Sequence, residues 1–170
     1  FEKYVIKDNF GLSKHNININ LNISNAINIK LINYYKKDQD IGSINCNLIF
    51  NKGKLDLKKF EFKENQSTIL LQGLKFDEKN IFNSLKSIKI KTFKANKLQN
   101  NFDILYEKKI KILGSNYDSS NIIEILNEKN KVNSFNNINK EINIDLKNII
   151  VKKSSNLSNF NLIGTIKKGK

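Results

Sequence analysis

Few residues of this chain are of a type that does chemistry, and their spacing argues against an active centre. His15 is the single histidine and Cys46 the single cysteine. A lone His without a second His or a close carboxylate pair is a poor metal ligand or general base. Cys46 alternates with Ile44 and Leu48, the pattern of a buried small hydrophobe rather than of a nucleophile. One thiol cannot close an internal disulfide, so it does not fix the redox compartment. The acidic pairs Asp38/Asp40 and Asp77/Glu78 fall where turns or caps are expected. No GxGxxG, phosphate-binding loop or GxSxG occurs. The residues therefore support no active centre, with a glycosidase-like carboxylate pair left open because residue order does not give its spacing in space, and no cofactor and no metal are expected.

Charge suggests a different chemistry. All 30 basic residues are Lys against 16 acidic ones, a net charge of +14. Such an excess suits a polyanion. Three features weigh against nucleic acid. The lysines are spread along the whole chain, Arg is absent, and the aromatic residues fall mainly on the apolar side of alternating runs. A basic β-domain binding nucleic acid or an acidic polymer stays as the alternative. The simpler reading is a solvated face that keeps an Asn-rich chain soluble. Arg, Pro, Trp and Met are all missing while Asn and Ile dominate, a set that A/T-rich codons would give. The chain starts with Phe1 and has no Met, so it is expected to be a segment of a longer protein. Leu, Ile, Val and Phe make up about a third of it, well above the range of disordered chains. No apolar run approaches the ~18 residues that would cross a bilayer.

The elements that must position these residues are strands. In NININLNISNAINIKL, Asn16 to Leu31, every odd position except Asn25 is apolar. Alternation with period two is a strand signal. It predicts strands at Tyr4–Ile6, Asn16–Tyr34 (with a possible break near Ser24–Ala26), Ile41–Phe50, Lys54–Phe62 and Ser67–Gly73. Further strands are predicted at Ser87–Ala95, Asn101–Tyr106, Lys109–Gly114, Lys140–Val151 and Asn159–Lys167. A Gly inside NKGK, Asn51–Lys54, marks a hairpin. LDLKKFEF (Leu55–Phe62), IKIKTFKA (Ile88–Ala95) and IDLKNIIV (Ile144–Val151) each place apolar residues at positions 1, 3, 6 and 8. One extra residue between two alternating pairs is the pattern of a β-bulge.

Two segments break the alternation. Ile81, Phe82 and Leu85 have helical spacing behind Asp77, and Ile122, Ile123, Ile125 and Leu126 behind Asp118 or Ser119. They are also copies. Gly73–Leu85 precedes Gly114–Leu126 by 41 positions, with Gly73/Gly114, Asp77/Asp118, Asn80/Asn121, Ile81/Ile122 and Leu85/Leu126 identical. Residues 127–139 read as a polar loop. The expected fold is mainly β: an elongated, twisted antiparallel sheet or β-groove of repeating units with two short helical insertions, forming one segment over residues 1–170.

Strands this long with one continuous apolar face need a cover. Either a second sheet closes the face in a purely structural or adhesive repeat, or the face lines a groove that holds something apolar. The expected lining residues are Ile17, Ile19, Leu21, Ile23, Ile27 and Ile29 in the first long run. Ile44, Leu48 and Phe50 follow in the next, then Leu55, Leu57, Ile69 and Leu71. Gly73, Asp77, Gly114 and Asp118 are the expected structural residues of the repeat.

The run GSINCNLIFNKGKLDLKKFEF, then STILLQG, a capped short helix and SIKIKTFKA, resembles the C-terminal β-repeat region of AsmA-like proteins. Those are bacterial envelope proteins that include the TamB and YhdP types. ILGSNYDSSNIIEIL, a polar loop and INIDLKNIIVKKSSNLSNFNLIG are similar to the way that region continues. The resemblance covers roughly Ile41–Lys170. It implies a periplasmic chain attached to the inner membrane through an N-terminal helix outside this segment. It further implies an apolar β-groove that moves phospholipid towards the outer membrane or supports its assembly. The implied partners are lipid acyl chains, the membrane through the rest of the chain, and other envelope proteins.

Overall fold

The computed structural model describes residues 3–11, 14–127, 137–152 and 155–168. Its elements follow the alternation. The first five strands are β1 (Lys3–Gly11), β2 (Lys14–Ile23), β3 (Ile27–Ile29), β4 (Tyr34–Lys36) and β5 (Gly42–Asn51). A 3-10 turn, Lys30–Ile32, joins β3 to β4. Next come β6 (Lys54–Glu64), β7 (Ser67–Phe76), β8 (Phe82–Ser84), β9 (Ser87–Lys94), β10 (Lys97–Tyr106) and β11 (Ile110–Asp118). The helix α1 (Ile122–Asn127), β12 (Lys140–Lys152) and β13 (Ser155–Ile166) complete the described chain. The expected polar loop falls largely on residues 128–136, which lie outside the described residues.

Ten strands lie side by side in the order β1-β2-β5-β6-β7-β9-β10-β11-β12-β13, with β8 paired to β7 off this path. The sheet is open, with β1 and β13 at its two ends. A mainly β, twisted sheet is thus what the alternation predicts and what the chain forms. Tight turns set the register. Lys52 and Gly53 have φ of 47° and 77° between the paired Asn51 and Lys54, and Ala95 and Asn96 have 47° and 60° between Lys94 and Lys97. Two successive positive-φ residues make the turn whose twist matches that of the flanking strands.

Four expectations are corrected. The sheet is mixed, because β11 and β12 run parallel. A parallel pair needs a long crossover, and the chain between Asp118 and Lys140, which contains α1, supplies it. The helix expected behind Asp77 is replaced by a turn and β8. Asn80 adopts the left-handed region at φ 57°, which stops a helix, and Phe82 is then buried beside Phe76 and Tyr106 in strand pairing. Asn16–Tyr34 does break at Ser24–Ala26, but the part beyond the break does not continue the strand: β2 ends at Ile23, and residues 24–41 leave the sheet.

The fourth correction concerns the recurring pattern. In β6 the extra residue is Lys58: Leu48 pairs with Leu57 and Asn47 with Lys59, as the pattern predicts. Lys58 faces Gly73, whose φ is +66°. In β12 the change of facing occurs without a register shift at Lys147, which stands opposite Asn159 at φ 53°. β9 carries no extra residue. Thr92 continues the inward alternation of Ile88 and Ile90, and the irregularity lies across from it at Gln99 in β10. Thr92 is a polar residue in an inward position, and only its partner Asn100 makes that tolerable.

Candidate functional site

Side chains in register on neighbouring strands share a face. One row of such partners crosses the whole sheet: Ile6, Ile19, Cys46, Phe60, Leu71, Ile88, Ile104, Ile112, Ile144 and Leu162. A parallel row runs Leu21, Ile44, Phe62, Ile69, Ile90, Phe102, Gly114, Leu146 and Phe160. On the other side of the first row lie Ile17, Leu48, Leu57 and Leu74, then His15, Phe50, Leu55, Phe76 and Phe82. The opposite face is mainly amide and charge. It carries Asn20, Asn45 and Glu61 in one row and Asn18, Asn47 and Lys59 in the next, with Asn47 donating to Asn18. Glu61 takes ion pairs from Lys59 and Lys63, and its carboxyl is held below its usual range despite desolvation.

The two ends of the apolar face differ. Residues 24–41 leave β2 at Ile23, fold over the face, and return at Gly42, the pairing partner of Ile23. Ile32 and Tyr34 of this strap are 2% and 1% exposed and pack with Phe62, Ile90, Phe102, Leu146 and Ile149. Full burial of an apolar side chain contributes about 1.5–3 kcal/mol, so the plug adds to the stability of the sheet that it covers. Away from the strap most of the face is half-buried or open, apart from the buried Cys46 and Phe82: Ile17, Ile19, Leu48, Leu55 and Leu57 are half-buried, while Phe50 is 43% and Ile6 59% exposed.

Eleven of the thirteen expected lining residues therefore stand on one face of the sheet. Ile27 and Ile29 do not. They belong to β3, in a separate two-stranded sheet with β4, and pack onto the core as part of the cover. The reason is local. The break at Ser24–Ala26 turns the run back on itself, and its apolar face then closes onto that of the sheet.

Side chains fasten the strap. Asn33, in the left-handed region at φ 48°, presents its amide to Asp118 Oδ2 at 2.9 Å and to Ser120 Oγ at 3.0 Å. Asn121 donates to Asn33 Oδ1 at 3.0 Å, and Gln99 Nε2 to the Asn33 carbonyl at 2.8 Å. Asn100 Nδ2 donates to the Ile32 carbonyl and Tyr117 to that of Leu31. Asp118 is the centre of this latch. Burial pushes its carboxyl up, but hydrogen bonds from Gln99, Ser120 and Asn33 outweigh that and hold it below its ordinary value. At the neck, the buried Lys36 ammonium donates to the carbonyls of Ser24, Asn25 and Lys37 at 2.9, 2.7 and 3.0 Å. Tyr34 donates to Glu64 Oε2 at 2.8 Å; burial first, then Glu64, push the phenol pKa well up.

The repeat residues divide in the same way. Asp77 Oδ1 accepts from the Lys79 and Ile81 amides, both at 2.9 Å, and so caps an exposed turn. Asp118 also takes the Ser120 amide at 3.1 Å, but its other oxygen serves the strap. Gly114 packs so closely that a Cβ there would run into the Asn101 carbonyl and Phe102. Cys46 sits buried in the middle of the long apolar row, and burial pushes its thiol up. Among the described residues no group of three or more His, Cys, Asp or Glu side chains is placed to hold a metal. The latch residues Asn33, Gln99, Asn100 and Ser120 were not legible as a set. They are separated by up to 87 positions, and single Asn residues carry no signal in a chain so rich in them. No protein-family model, curated protein or solved structure gives a match to this chain.

Proposed function

We propose that this chain is a non-enzymatic segment whose apolar β-face holds lipid acyl chains. In this reading it belongs to an AsmA-like protein of the bacterial periplasm, attached to the inner membrane through a part of the chain outside this segment. It supports phospholipid movement towards the outer membrane, or assembly of that membrane. One observation carries the reading. The apolar row from Ile6 to Leu162 crosses ten strands without a polar interruption, and much of the face beyond the strap stays open. A continuous strip of near-equivalent weak contacts, each buried CH₂ contributing about 0.8 kcal/mol, suits a ligand that slides rather than one held in a single pocket. Lysines near the rim of that face suit anionic headgroups.

Photo-crosslinking tests it. Crosslinkers at Ile19 and Leu48 on the apolar face are expected to capture phospholipid, and those at Asn18 and Asn47 on the polar face are not. Equal labelling of the two pairs overturns the reading. The second reading is a structural β-repeat with a closed core, and the buried strap favours it at one end of the sheet. No labelling at Ile19 or Leu48 selects that reading.

A further inference from the structure

We infer that residues 24–41 are a displaceable strap, and that the surface beneath them is a continuation of the acyl-binding face that opens when the strap swings away. The inference rests on the acyl-binding reading of the open stretch and adds a gate to it.

Topology is the first argument. Ile23 and Gly42 are direct partners in the β2–β5 ladder. The strap is therefore an excursion from a hairpin whose two strands are already paired. Its own strands, β3 and β4, form a separate two-stranded sheet. Lifting it breaks no ladder bond of the large sheet.

The fastening is the second. Side-chain hydrogen bonds hold the tip, and they converge on Asn33 and Asp118. At the neck the ammonium of Lys36 clips the two ends of the excursion together through Ser24, Asn25 and Lys37. The strap can thus pivot as one piece about its neck while the latch at the tip opens. The surface beneath is the third. Phe62, Ile69, Ile90, Phe102 and Leu146 continue the row of Leu21 and Ile44 with Gly114 as its one gap, and Glu64, Gln99 and Asn100 beside it bond to the strap. Ile32 and Tyr34 cover that row much as an acyl chain would, so strap and chain compete for one surface. A ligand that binds only the open state shifts the population towards it.

Two variants of the full chain test the inference. In the first, residues 24–41 are replaced by an Asn-Gly turn joining Ile23 to Gly42. The sheet is expected to stay folded, with its far-ultraviolet circular dichroism retained. With phosphatidylglycerol vesicles, a photo-crosslinker at Ile90 is expected to label lipid at least tenfold more than in the unaltered chain, with Leu48 labelling kept. Unfolding of this variant, or labelling at Leu48 without any at Ile90, overturns the gate. In the second, Asp118→Asn turns an amide donor towards the Asn33 and Gln99 donors. Amide exchange of residues 27–36 is expected to quicken at least tenfold while that of β5 and β6 is unchanged. Unchanged exchange in the strap overturns the latch. This readout needs no lipid, so it separates a failed gate from a failed acyl-binding reading, which the absence of Leu48 labelling would reveal.

Discussion

The two copies of the repeated segment, Gly73–Leu85 and Gly114–Leu126, share a Gly, an aromatic residue and an Asp, stand at different ends of the same apolar face and do different work. At the open end, Gly73 takes a positive φ opposite Lys58, Phe76 meets Phe82 edge-on, and Asp77 caps a solvent-facing turn. At the covered end, Gly114 makes room for Asn101 and Phe102, and Tyr117 meets Phe102 with ring centroids 5.1 Å apart. There Asp118 reaches a chain segment 85 residues away. The motif alone fixes a turn. What covers it decides whether its aspartate is a local cap or a tertiary latch.

The contrast is sharpest in the core. Leu146, 1% exposed under the strap, and Leu48, half-buried on the open stretch, are the same residue type on the same face. Leu146→Ala is expected to cost about 2–5 kcal/mol, because a cavity is left in a packed cluster. Leu48→Ala is expected to cost less, about 1–2 kcal/mol, because Leu48 is only partly buried and solvent reaches the space it leaves. Denaturant midpoints of the two variants measure the difference. Equal losses would mean that the open stretch is covered in solution.

The aspartates differ in the same direction. Asp118→Ala takes the shared Oδ2 acceptor from the amides of Asn33 and Gln99, a loss of about 2–6 kcal/mol at roughly 1–3 kcal/mol for each of the two bonds. Asp77→Ala removes a cap from an exposed turn, at about 1 kcal/mol. Thermal unfolding compares them, and the ordering is the test.

The smallest effect is that of acid. Hydrogen bonds hold the Asp118 carboxyl below its ordinary 3.8, so its charged form is favoured in the folded chain. Its contribution is complete above 3.8 and is lost as pH falls through the lower folded value. Amide exchange of the strap is therefore expected to stay constant from about pH 8 down to about pH 5, once corrected for intrinsic rates, and to quicken only in stronger acid. Strap exchange that stays constant into strong acid would overturn the role of Asp118 as the latch.

Alternation alone placed most strands of the sheet, because facing has period two whatever the strand pairs with. The hairpin at Lys52–Gly53 and the bulge at Lys58 were legible for the same reason: each is a local departure from that period. The apolar face was also legible, since Ile17 and Ile19, Leu48 and Phe50, and Leu55 and Leu57 each stand two positions apart. The helix expected behind Asp77 was not formed, because Phe82 gains more by burial beside Phe76 and Tyr106 than its local spacing offers.

What lay beyond the sequence is the choice of cover. Ile27, Ile29 and Leu31 carry the same period-two pattern as the residues before them, and that pattern reads equally as wall or as lid, whereas the residue that the fold buries is Ile32, out of step with it. Only the fold brings Asn33 to Asp118 and Lys36 to the carbonyls of Ser24 and Asn25, so that one half of a continuous apolar run turns back to cover its own sheet. Facing is a local property of the backbone, whereas covering depends on which distant surfaces meet. The first is written in the residue order, and the second is decided by packing.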